Sequence, residues 1–95
     1  MAVFAVNYTY RSSQNAERDL YRPAHRGYLR ELMADGKVLA TGSYVDDDNP
    51  GALLLFQDES AAAVAEMLRI DPFMVHGLVA AADIREWTVA MGPWA

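Results

Sequence analysis

Ninety-five residues, 53% of them hydrophobic and 22% charged, suffice for one packed core and leave no room for a second. The net charge is −5, with Lys37 the single lysine and the arginines scattered along the sequence, a poor match to the clustered Lys and Arg that phosphate-backbone binding needs. There is no cysteine for disulfide or thiolate chemistry, and no apolar run approaches the ~20 residues that span a bilayer. The expectation is a cytoplasmic single domain over residues 1–95 that binds neither nucleic acid nor membrane.

Val3 to Tyr10 is rich in β-branched and aromatic residues, with Phe4, Val6 and Tyr8 on one face and Val3 and Ala5 on the other. That pattern predicts a strand covered on both sides. Arg11 to Leu20 is polar and reads as a loop or an irregular helical lead-in. Pro23 suits the first position of a helix, where its missing N–H costs nothing. Tyr28, Leu29, Leu32 and Met33 then form a helical stripe that stops at Gly36. Lys37 to Tyr44 predicts a second strand. Pro50-Gly51 fits the centre of a type II turn after the acidic run Asp46 to Asp48. Ala52 to Phe56 is a third strand, apolar on both faces. Asp58 or Ser60 can cap a helix with Ala61, Val64, Ala65 and Leu68 inside. Asp71-Pro72 ends it and starts one further helical turn, closed by Gly77. Asp83 to Met91 is the last predicted strand, with Trp87, Val89 and Met91 on one face.

Strand, helix, strand, strand, helix, strand is the ferredoxin-like α+β plan, βαββαβ with a four-stranded antiparallel sheet. Strands 1 and 3 are apolar on both faces, yet two helices cover only one. The simplest cover for the other face is a second copy of the chain, so a homodimer is expected.

The candidate chemistry sits in two short phrases, Arg22-Pro23-Ala24-His25 and Asp71-Pro72-Phe73. With His25 in a first helical turn, the helix dipole favours the neutral imidazole, a competent general base. Asp71, projecting from a helix start, can orient that ring and stabilise its protonated form. Asp before Pro is equally an ordinary N-cap, and one carboxylate can serve both ends. Arg22 and Ser43 are candidate holders of a polar substrate group, and Tyr8 and Phe73 are candidate pocket walls; each has a core or surface role as the alternative. His76 is the only other histidine, and no metal-ligand spacing links it to His25, so no metal is expected. No phosphate-cradling glycine pattern is present.

The two phrases, with Asp35-Gly36-Lys37, Gly42-Ser43, Asn49-Pro50-Gly51 and Gly77 in order between and after them, resemble the YciI-like (YCII-related) family. The resemblance spans almost the whole chain. It implies a dimeric α+β barrel with a His–Asp dyad at His25 and Asp71, and enzyme roles on small, often aromatic or lactone-like molecules. Ser43 departs from the proline that many relatives place after the glycine. The expected function is a cofactor-free elimination or isomerisation of a small molecule. Its alternatives are a non-catalytic ligand-binding or regulatory module and, by fold analogy alone, a cofactor-free oxygenase.

Overall fold

The computed structural model describes residues 1–95. Its strands are β1 (Ala2–Thr9), β2 (Val38–Ser43), β3 (Gly51–Asp58) and β4 (Ala81–Glu86), and its helices α1 (Asn15–Ala34), α2 (Ala61–Arg69) and α3 (Pro72–Val75). The strands form one antiparallel sheet in the order β2-β3-β1-β4, the ferredoxin-like α+β arrangement.

Alternation along the strands decides the layers. Phe4, Val6 and Tyr8 lie opposite Phe56, Leu54 and Ala52, and all six are buried. Leu29 of α1 and Val64 and Leu68 of α2 complete the same core. Each large apolar side chain so buried contributes about 1.5–3 kcal/mol before entropy is charged against it. On the opposite face Val3, Ala5 and Leu53 stay half-buried, because no helix reaches them.

Three local expectations change. The helix does not begin at Pro23: it starts at Asn15, after a single 3-10 turn at Ser12–Gln14, and Pro23 lies inside it. Pro23 has no N–H to give the Asp19 carbonyl, so one helical hydrogen bond is missing there. His25 is therefore in the middle of a 20-residue helix, beyond the first turn where the dipole acts, and the dipole argument for its neutrality falls. Gly51 does not hold the positive φ of a type II turn. It opens β3, where an added Cβ would lie 2.4 Å from the Tyr8 carbonyl oxygen, so close strand approach is what requires glycine. Finally, β4 spans Ala81–Glu86, not Asp83 to Met91. Its partner β1 runs out: Trp87 N–H donates to Val3 O, and no strand remains for Val89 and Met91 to pair with.

Candidate active site

The α3 turn places the carboxylate. Asp71 takes an extended backbone before Pro72, and its Oδ1 accepts from the Phe73 backbone N–H at 3.1 Å, an N-cap. The same oxygen lies 2.7 Å from His25 Nδ1, while Oδ2 accepts from the Tyr8 hydroxyl at 2.8 Å. Asp71 is 0% exposed. A carboxylate sealed from water keeps its charge at tolerable cost only when donors surround it, and here three do. Cap and contact with the histidine are thus one arrangement, shared on one oxygen, with the second oxygen taken by a residue of β1.

Because an ionised carboxylate only accepts, Nδ1 carries the hydrogen in that contact, and Nε2 is the nitrogen left without a protein partner. The His25 ring lies flat on Phe73, with centroids 3.9 Å apart and planes 3° from parallel. Asp71 fixes one ring edge and Phe73 one ring face, so the free nitrogen has a defined direction.

Burial first, and then the Asp71 charge, push Tyr8 ionisation far above the usual phenol range, so it remains a hydroxyl donor. Tyr8 is 1% exposed and stands behind Asp71 as its support; it does not border the cavity. Tyr10 does border it. Its ring meets Phe73 edge-on at 5.8 Å and carries the Arg18 guanidinium 4.5 Å above its centre. Burial pushes the Tyr10 phenol up to about 12, with Asp71 adding to the shift and Arg18 and Arg22 opposing it. Arg18 is itself buried, donating to Arg11 O at 2.8 Å and to Asn15. It is a brace for Tyr10, held away from solvent.

The cavity, about 400 Å³, lies between α1 and the β2–β3 side of the sheet. His25, Phe73, Arg22 and Ser43 line it. Thus of the six residues singled out in the sequence, four line the cavity, Asp71 contacts one of these, His25, from behind, and Tyr8 supports Asp71. Sequence reasoning passed over Tyr10, Thr41, Arg26 and Arg30, which also line it. The arginines were detectable: Arg18, Arg22, Arg26 and Arg30 recur every four residues. Starting the helix at Pro23 hid that periodicity. No group of three or more His, Asp or Glu side chains is placed to hold a metal ion.

The profile of the YCII-related domain matches residues 1–88. The chain belongs to the YCII-related family. This YCII-related chain is also similar in structure to 5-chloro-2-hydroxyhydroquinone dehydrochlorinase from Burkholderia phenoliruptrix, solved in complex with 2,5-dihydroxybenzoquinone. The two are 28% identical with a TM-score of 0.78, over 90% of this chain and 93% of that one. An antibiotic biosynthesis monooxygenase shares the fold at 11% identity and a TM-score of 0.59, over 96% of this chain and all of the other. Curated protein sequences yield no significant match. No helix of this YCII-related protein is long and apolar enough to cross a membrane.

Proposed function

We propose that the protein is a small-molecule enzyme that catalyses a cofactor-free elimination or isomerisation on an oxygenated ring compound, with His25 as acid–base and Asp71 as its orienting partner. The observation that carries this reading is the 2.7 Å contact between His25 Nδ1 and a fully buried carboxylate at the edge of the cavity. Nε2 takes a proton from the substrate. The imidazolium that forms is stabilised by the Asp71 charge, and a leaving anion departs from the substrate with the electron pair released. In an isomerisation Nε2 returns the proton to another atom of the same molecule. Similarity to a dehydrochlorinase, an enzyme of elimination, supports the first of these.

The same reading has the open sheet face, with Val3, Ala5 and Leu53, covered by a second copy of the chain. Sedimentation showing only monomer at micromolar concentration would remove that part.

A thermal-shift screen of hydroquinones, quinones and lactones, followed by recovery of each stabilising compound, tests the function. A compound recovered chemically changed supports the enzyme. Stabilising compounds all recovered intact would replace it with a binding module built on the same pocket.

A further inference from the structure

The wall of the cavity carries a charge opposite to that of the chain. The protein has 13 acidic residues against eight basic ones, yet three arginines and no carboxylate border the cavity. Arg22, Arg26 and Arg30 follow one another at four-residue intervals along α1, on the flank of the row His25, Leu29 and Met33. Arg22 already pairs with Asp19. Arg26 and Arg30 make no ion pair, and no side-chain hydrogen bond of theirs is satisfied within the protein. Across from them the rim offers neutral donors, the hydroxyls of Thr41 and Ser43. The one negative charge nearby, Asp71, is 0% exposed and turned to His25 and Tyr8, so it does not face a ligand in the cavity.

We infer that the cavity takes an organic anion, a small ring compound bearing a carboxylate or an ionised ring hydroxyl, and that Arg26 and Arg30 are the residues that recognise its charge. A guanidinium presents a planar fork of donors that matches the two oxygens of a carboxylate, or an ionised ring hydroxyl beside a second ring oxygen. The apolar side of the ring then lies against Leu29 and Leu54, also in the lining, with the reacting part beside His25. This rests on the reading of the cavity as the ligand site and adds the charge class of what enters it.

The test compares 2,5-dihydroxybenzoate with its uncharged methyl ester by calorimetric titration at low and high salt. The acid is expected to bind about tenfold more tightly, the effect of losing a charge-assisted hydrogen bond. Added salt narrows that preference. The double variant Arg26→Gln/Arg30→Gln abolishes it, while Arg69→Gln, on α2 and paired with Glu66, retains it. Equal binding of acid and ester, a double variant that keeps the preference, or no saturable binding of the acid at millimolar concentration would each overturn the inference. His25→Ala is expected to keep the anion preference. Wild-type protein that binds the acid selectively while altering no ring compound would end the catalytic reading and leave the anion site standing.

Discussion

Two aspartates at element boundaries, Asp58 and Asp71, each accept from a backbone N–H just after them and differ in where their other contacts go. Asp58 closes β3 and accepts from the Glu59 backbone N–H at 2.7 Å, and its other oxygen meets Lys37 Nζ at 3.3 Å. Asp71 opens α3 and accepts from the Phe73 N–H, but its remaining capacity goes to His25 and Tyr8. Asp58 ties the start of β2 to the end of β3 with a partner that solvent also reaches. Asp71 is fully enclosed, and the ring it holds borders a cavity. A capping carboxylate thus becomes a candidate catalytic group through where its spare lone pairs point.

Substitutions at each site sharpen that contrast. Asp71→Asn is expected to have the largest effect, a loss of kcat of about 100-fold or more. Its amide N–H₂ can donate to His25 Nδ1, which moves the ring hydrogen to Nε2 and removes the base. Steady-state turnover reads kcat, and nitrogen NMR of the imidazole reads the tautomer.

Tyr8→Phe comes next. It leaves Oδ2 of a buried carboxylate without its donor, at a cost of about 1–3 kcal/mol in stability by denaturant titration at neutral pH. Because the folded state raises Tyr8 ionisation, its contribution is whole below about pH 10 and is lost as the pH rises beyond that. The gap between wild type and variant therefore closes on the alkaline side.

Asp58→Asn has the smallest expected effect, since the amide oxygen can still accept from the Glu59 N–H and an ion pair to a lysine that solvent reaches contributes little. The Glu59 N–H first, and then Lys37, hold the Asp58 carboxyl below its usual range. Its stabilisation is present above the unfolded carboxylate value and is lost as the pH falls through the lower folded one. The difference from Asp58→Asn at neutral pH should close below about pH 4 in thermal melts.

The fold was legible because period-two apolar runs and glycine stops survive without tertiary information, as in Phe4, Val6 and Tyr8 or at Gly77. The boundaries of α1 and β4 were not. Pro23 carries a strong local signal for a helix start that the surrounding turns override. The extent of β4 depends on where its partner β1 begins. Of the site, His25 and Asp71 were visible as phrases beside prolines. Their contact spans 46 residues, and Tyr8 as third partner of the carboxylate follows only from the sheet packing beneath α1 and α3.

The most direct test of the central claim is chloride release from 5-chloro-2-hydroxyhydroquinone under anaerobic conditions by wild-type protein and His25→Ala. The account predicts release above the uncatalysed rate for wild type and a fall to background for the variant. Release by His25→Ala at the wild-type rate would contradict an elimination carried by His25.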